Sequence, residues 1–348
     1  MTSSHRFPWK WRLSDLQHVK KNGLKVFSCF ACGGGSSMGY KLAGFDVVGN
    51  CEIDPKIAEV YKKNLHPRVS YVMDVRDFAK IPEDKIAPEL FDLDILDGSP
   101  PCTTFSTAGL REKTWGVEKK FREGQKMQRL DDLFFPFIEV ANRLRPKAVV
   151  GENVSGMIKG NAKRYCALIA QAFDKAGYDV QLFLLNASRM GVPQKRERVF
   201  FVARRKDLGL PKLRLEFDEK PILFGEVRSE KGEPLKDGLY KTLLSKRQRC
   251  DDTIEDIRTR IGAGGSGGFN CIVNWDDEVA KTHPSSGCYF RGCDGENCSK
   301  EDIVNVSTFP QDYDFGQGGA RFMCGMCVPP VMAAQVASQI AGQWFGVK

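Results

Sequence analysis

From Leu24 to Arg204, short apolar runs alternate with stretches whose apolar residues recur at helical spacing, which predicts an α/β fold with a mostly parallel sheet. The strands read as residues 24–30, 46–52, 70–74, 91–97, 147–153, 179–187 and 198–204. Helical periodicity marks 54–65, 129–144 and 162–177, the second with Pro136 placed to kink or offset it. After Arg205 the alternation fades into charge-rich sequence with a glycine run at 261–270. Regularity returns near Val331, where Pro329 and Pro330 open an apolar helix over 328–345. The expected organisation is an N-terminal arm over 1–22, a doubly wound sheet domain over 23–205, a smaller recognition lobe over 206–305, and a segment, 306–348, that returns to the first domain.

Composition narrows the partners. The formal charge of +8, against 44 acidic residues, permits a polyanion without requiring one. The arm carries His5, Arg6, Trp9, Lys10, Trp11, Arg12, Lys20 and Lys21, and reads either as a basic arm lying on phosphates or as a solvated tail. Twelve cysteines would suggest disulfides in a secreted chain, but Met1–Lys10 holds no apolar signal core, so reduced thiols and a cytoplasmic location are expected. No apolar run is read as approaching the roughly 20 residues needed to span a bilayer.

The chemistry should sit at the carboxyl edge of the sheet, where doubly wound folds bind their ligands. The first strand runs into a glycine-rich turn, Phe30–Gly39, and the second ends at Glu52, a carboxylate able to accept both hydroxyls of a ribose. The third ends at Asp74, able to accept from an adenine amino group. A nicotinamide dehydrogenase would share these features, but it offers no reason for the residues after the fourth strand. There, Pro100 and Pro101 fix the backbone before Cys102, in surroundings of Ser and Thr that make no apolar core. The fifth strand ends in Glu152-Asn153-Val154, and Gln194–Arg198 would point Arg196 and Arg198 to one face if extended. A thiol, a carboxyl and two guanidinium groups at one edge suit covalent chemistry on an anionic polymer. A structural Glu152–Arg198 ion pair is the plainer alternative.

In order and over almost its whole length, the chain resembles the DNA cytosine-5 methyltransferases. The resemblance rests on Phe30–Gly39, Glu52, Asp74, Pro100-Pro101-Cys102, Glu152-Asn153-Val154, Gln194–Arg198, Thr308-Phe309-Pro310 with Tyr313, and Val328-Pro329-Pro330. It implies a Rossmann-like methyltransferase sheet with a target-recognition domain, and S-adenosylmethionine as cofactor. The cofactor would be held by Phe30, Ala31, Gly33, Gly34, Gly35, Glu52, Ile53, Asp74, Val75, Pro101, Met326 and Cys327. It further implies that the Cys102 thiolate adds to C6 of a flipped cytosine in double-stranded DNA, helped by a cationic neighbourhood. Glu152 would be protonated or share a proton with N3, Arg198 would hold O2, and Arg196 would support that geometry or meet phosphate. Thr103–Arg129, with Arg111, Lys113, Lys119, Lys120, Arg122 and Lys126, reads as a closing loop with Gly109, Gly116 and Gly124 as flexible points.

Two positions depart from the family pattern: Cys32 replaces a glycine and Met326 an asparagine. They leave room for a modified sulfonium donor, such as a carboxymethyl one with Arg321 as countercharge, beside the alternatives of an RNA cytosine substrate or a catalytically silent DNA-binding homologue. The recurrence of Cys288, Cys293 and Cys298 is wider than zinc knuckles use, and with the Cys324–Cys327 pair it assigns no metal. His66 and His283, each before a proline, read as turn residues. A monomer is expected, with a restriction enzyme as a possible companion.

Overall fold

Lys25–Cys29 forms β1, buried after its first residue, as a strand covered by helices on both faces must be. The computed structural model describes residues 5–101, 133–159, 162–265 and 267–347. In it β1 is followed by α1 (Gly35–Leu42), β2 (Asp46–Glu52), α2 (Pro55–Leu65), β3 (Val69–Val72), α3 (Val75–Phe78), β4 (Ile95–Gly98), α4 (Phe134–Leu144), β5 (Ala148–Val154), α5 (Ala162–Lys175), β6 (Tyr178–Asn186), β7 (Gln194–Lys195) and β8 (Glu197–Arg205). Seven strands make one sheet in the order β3-β2-β1-β4-β5-β8-β6. Neighbours from β3 to β5 are parallel, and β8 runs antiparallel to β5. The chain is therefore of the mixed α/β class with a large, mostly parallel central sheet.

The chain divides into a sheet unit, Val19–Leu185 with Glu197–Leu215 and Val336–Lys348, and a second unit, Met1–His18 with Asn186–Arg196 and Glu216–Gln335. In the sheet unit, Phe27, Leu96, Val149 and Phe201 from the strands share a core with Phe134, Phe137 and Ile138 of α4. Glycines make room for that helix. Gly98 and Gly151 are register partners on β4 and β5, and a Cβ on Gly98 would come within 2.6 Å of the Phe137 ring.

The boundaries differ from expectation for local reasons. Pro136 lies in the first turn of α4, where its missing N–H has no acceptor to lose, so it starts the helix rather than kinking it. The fourth strand is shorter than 91–97, because Pro88–Asp92 turns as a 3-10 helix before it. Asp74 lies past β3 as the N-cap of α3, its carboxylate accepting from the Arg76 N–H at 2.8 Å. The stretch Ala320–Phe345 is, after all, long and apolar enough for a membrane span by composition, with mean hydropathy 1.2. However, 78% of that window is buried, as in core helices, and the stretch is broken into two helices at Cys327, which is extended.

The second unit adds α6 (Phe224–Val227), α7 (Leu239–Leu244), α8 (Ile254–Arg260), β9 (Cys271–Asn274), β10 (Ala280–Lys281), β11 (Cys288–Arg291), α9 (Lys300–Val306) and α10 (Ala320–Met326), and the chain ends in α11 (Pro330–Phe345). Thr253 and Ser299 cap α8 and α9 in reciprocal boxes with Asp256 and Asp302. Leu243, Leu244, Ile254, Ile257, Val273 and Phe290 form a core here, while β9 pairs with β11 and β7 with β10, each in parallel.

Among the described residues, the stretch around Trp11 is packed rather than a free basic arm or a solvated tail. Trp11 is buried, its indole Nε1 donating to the Thr308 carbonyl at 2.8 Å, and Leu13 N donates to Asp312 Oδ1. Lys10 pairs with Glu301 rather than standing ready for phosphate. Thr308 itself adopts φ 53° and accepts from Val331 N through Oγ1, so this one residue ties the arm to the start of α11. Replacing Trp11 with Ala removes a large buried side chain and should cost about 3 kcal/mol or more. Urea unfolding measures the loss, and limited proteolysis should show residues 5–18 cut first in the variant; unchanged stability would contradict this anchoring.

Candidate active site

The turn after β1 is built from backbone that most side chains avoid. Phe30, Cys32 and Gly34 have φ of 52°, 46° and 78°, and only the last is a glycine, so the two others cost on the order of 1–2 kcal/mol each. Gly34 is also needed for space, since a Cβ there would approach Leu65 Cδ1 at 2.3 Å. Cys32, where glycine was expected, occupies the left-handed region that glycine favours. The turn is held by Glu52, which is buried: Oε2 accepts from Cys32 N at 2.8 Å and Oε1 from Asp54 N at 2.9 Å. Burial raises the Glu52 carboxyl, and these backbone N–H groups act against that rise.

Around this carboxylate, Ala31, Gly33, Gly35 and Val75 are buried, Phe30 is half-buried, and Ile53 stands exposed as an apolar surface. Phe30 meets Phe137 edge to face at 6.2 Å. Asp74 has both oxygens anchored on Arg76, one by the backbone N–H and the other by Nη1 at 3.0 Å.

At the next edge positions, Asn153 Nδ2 donates to the Pro100 carbonyl at 2.9 Å within buried surroundings. This joins the end of β5 to the segment after β4 that carries Pro101, which is half-buried. Cys102 and the basic segment Thr103–Arg129 lie outside the described residues. Glu152 and Arg198 are diagonal neighbours on β5 and β8 and form an ion pair, Oε1 to Nε at 2.9 Å, with both side chains largely buried. Burial lowers the Arg198 guanidinium from its usual range, opposed by Glu152.

Arg196 does not share a face with Arg198. The backbone turns back at Arg196, whose N–H donates to Gln194 O, and Gln194–Lys195 leave the central sheet to pair with β10. Arg196 is buried in the second unit, where Nη2 donates to the carbonyls of Gly325 and Cys327 at 3.0 Å each. It therefore braces the backbone on either side of half-buried Met326, ahead of Pro329. Arg321 donates to the Gly287 carbonyl. His283 is a buried group rather than a surface turn residue, pushed down to about 3 by burial; His66 does terminate α2 in the left-handed region. Among the described residues no group of three or more His, Cys, Asp or Glu could hold a metal.

A polar row one layer below the turn escaped sequence reading. Ser70, Asn50, Ser28 and Asp97 are successive register partners on β3, β2, β1 and β4, so they share a face. Ser28 Oγ and Tyr40 Oη donate to the Asp97 carboxylate at 2.8 and 3.3 Å. Asp97, the last of three aspartates in the strand read as 91–97, did not stand out in the sequence.

The model of the C-5 cytosine-specific DNA methylase family matches residues 24–342. The chain belongs to that family. It is 29% identical to the Type II methyltransferase M.Sau96I of Staphylococcus aureus, over 94% of this chain and 78% of that protein. With the Type II methyltransferase M.NgoPII of Neisseria gonorrhoeae it shares 35% identity over 54% of this chain and 50% of the other. Among solved structures, a DNA modification methyltransferase encoded within an E. coli prophage superimposes with a TM-score of 0.66 at 18% identity, covering 92% of this chain and 99% of that one. The Entamoeba histolytica methyltransferase EhMeth gives 0.61 at 14%, over 92% and 98%. These two support the fold, and the family match makes the chain a DNA cytosine-5 methyltransferase.

Burial raises Asp97 to about 7, against the lowering effect of the Ser28 and Tyr40 hydrogen bonds. An unfolded Asp ionises near 3.8, so the folded form holds the proton more tightly. The stability this contributes is present below about pH 4 and is lost as pH rises through about 7, with a slope of up to about 1.4 kcal/mol per pH unit. Asp97→Asn should flatten urea-derived stability across that window; an unchanged slope would refute a proton on Asp97.

Proposed function

We propose that this methyltransferase carries a methyl group from S-adenosylmethionine to C5 of a cytosine flipped out of a specific short sequence in duplex DNA, through a covalent bond between Cys102 Sγ and C6. The observation that supports it most is the Asn153 bond to the Pro100 carbonyl, because it couples the strand bearing Glu152 to a residue two positions before Cys102 in the sequence. The cofactor residues suit such a ligand. Glu52, fixed by backbone N–H groups that include those of Cys32 and Asp54, can accept from ribose hydroxyls, while Asp74, fixed by Arg76, can accept from an adenine amino group. Phe30, Ala31, Gly33, Gly34, Gly35, Ile53, Val75 and Pro101 would complete this part of the site. When bound, S-adenosylmethionine supplies an electrophilic methyl group on a sulfonium.

The chain's own residues would do the rest. Cys102 forms a bond to C6, which moves electron density to C5 for attack on that methyl. Glu152 shares a proton at N3 as this charge develops, held in place by Arg198, which also reaches O2. Arg196, braced on two carbonyls, is a positioning residue. After transfer, water removes the C5 proton and Cys102 departs as the thiolate. Flipping costs a few kcal/mol, which contacts from residues 206–305 and from the basic segment after Cys102 would offset. The Type II names of the relatives favour a restriction-modification setting, and we place the enzyme in the cytoplasm, acting as a monomer.

Labelled methyl transfer tests the reading. Wild-type protein should label unmethylated duplex DNA at cytosine C5, Cys102→Ser should lower the rate at least about a thousandfold, and Glu152→Gln about a hundredfold or more. Label that persists in the Cys102→Ser protein, or that appears in RNA alone, would overturn it.

A further inference from the structure

The second unit holds a pair of cysteines that the reaction does not use. Cys271 and Cys288 are the first residues of β9 and β11 and are register partners on these parallel strands. Adjacent strands lie about 4.8 Å apart, inside the Cα separation of roughly 4.4–6.8 Å that a disulfide spans. The strands are drawn together at this end by Gly287: it adopts φ +102°, and a Cβ on it would come within 2.3 Å of the Asn270 carbonyl. Cys288 N also donates to that carbonyl. The two side chains also share a neighbour. Cys271 and Tyr240 are close enough to the Cys288 thiol for each to perturb it, and Cys271 Sγ donates to the Tyr240 hydroxyl at 3.5 Å.

We infer that Cys271 and Cys288 form a thiol–disulfide exchange site, closed by a low-molecular-weight disulfide into a reversible bridge between β9 and β11. Accessibility sets the order of events. Cys288 is half-buried and Cys271 buried, so Cys288 meets the reagent and Cys271 resolves. The Cys288 thiolate attacks one sulfur of glutathione disulfide, forming a mixed disulfide and releasing one glutathione thiolate. The Cys271 thiolate then attacks the Cys288 sulfur and releases the second. Two protein thiols are oxidised, one disulfide is reduced to two thiols, and the two protons pass to the departing glutathiones. Burial pushes the Cys288 thiol up to about 11, so the exchange is slow and reaches completion over hours at mildly alkaline pH.

The sheet unit supplies an internal control. Cys29 and Cys51 are also register partners on parallel strands, but both are buried and should not react in the native protein.

The test uses the whole protein, incubated with glutathione disulfide, alkylated, digested with trypsin and read by mass spectrometry without reduction. Cleavage after Arg260, Lys281 and Arg291 gives peptides 261–281 and 282–291, each with a single cysteine. They should appear joined in most molecules, separate on reduction, and accompany a higher unfolding temperature of the oxidised protein. Cys271→Ser should instead trap Cys288 as the glutathione mixed disulfide. If Cys288 in the wild-type protein stays free, remains a mixed disulfide, or joins Cys293 by the time the exposed Cys250 and Cys293 have reacted, the inference fails. Methyl transfer plays no part in this readout, so its failure and that of the catalytic reading are separable.

Discussion

The site depends on one hydrogen bond, from the Asn153 amide to the Pro100 carbonyl. β4 and β5 stay in register only as far as Gly98 and Gly151. Beyond that, β4 ends while β5 continues to Val154, and the ladder can no longer hold the two chains together. Two successive prolines after Ser99 offer no N–H groups, so a carbonyl is what the turn has to give, and a side-chain amide is what can reach it. Breaking such a bond in a buried setting costs about 1–3 kcal/mol for the group left behind. It would also free the segment leading to Cys102. The glycines at the last paired position serve the same end: they let Phe134 and Phe137 pack against the strand ends and so limit where the turn can go.

Glu52 plays the corresponding part at the glycine-rich turn. Its carboxylate accepts from backbone donors that include Cys32 N, and so it helps hold Cys32, and with it the turn containing Phe30, in a conformation that neither residue would choose alone. Strain of this kind persists where surrounding structure over-determines it. Here the restraint comes from the residue that the cofactor reading assigns to ribose, so the binding carboxylate and the brace for the phenyl ring are a single group. The glycine-to-cysteine departure at position 32 is then a change in backbone cost more than in charge or chemistry.

Much of this was legible in the sequence because it is local. The strands and the Asp54-Pro55 start of α2 each announce themselves within a few residues. Interactions between residues distant along the chain were not legible. Arg196 and Arg198 look equivalent as alternate positions of one strand, yet the strand breaks between them: Arg198 meets Glu152 while Arg196 meets carbonyls over a hundred residues away. The ion pair that stood as the plainer alternative does form. It does not exclude a catalytic part for Glu152, since a partner that fixes the carboxylate is also what would orient it. Trp11 was counted with the basic residues around it, and its anchor at Thr308 could not be seen without the fold.

The polar row from Ser70 to Asp97 reflects the same limit, and it bears on how the sheet edge is built. Among the described residues, Asn50 finds no side-chain hydrogen-bond partner and neither does the Ser70 hydroxyl, and buried groups of that kind oppose folding by about 1–3 kcal/mol each. Only the Ser28–Asp97–Tyr40 part is satisfied by direct bonds. A wholly apolar layer here would be more stable, so the row is not explained by stability. It does occupy the strands that carry the glycine turn, Glu52 and Pro100, immediately before those elements leave the sheet. Hydrogen bonds are directional where apolar contacts are not, and the bond between Ser28 on β1 and Asp97 on β4 resists a slip of one strand past the other. A sheet whose edge must present several strand ends at fixed heights gains register from such a bond, at a cost in stability that the apolar core on the opposite face is large enough to carry.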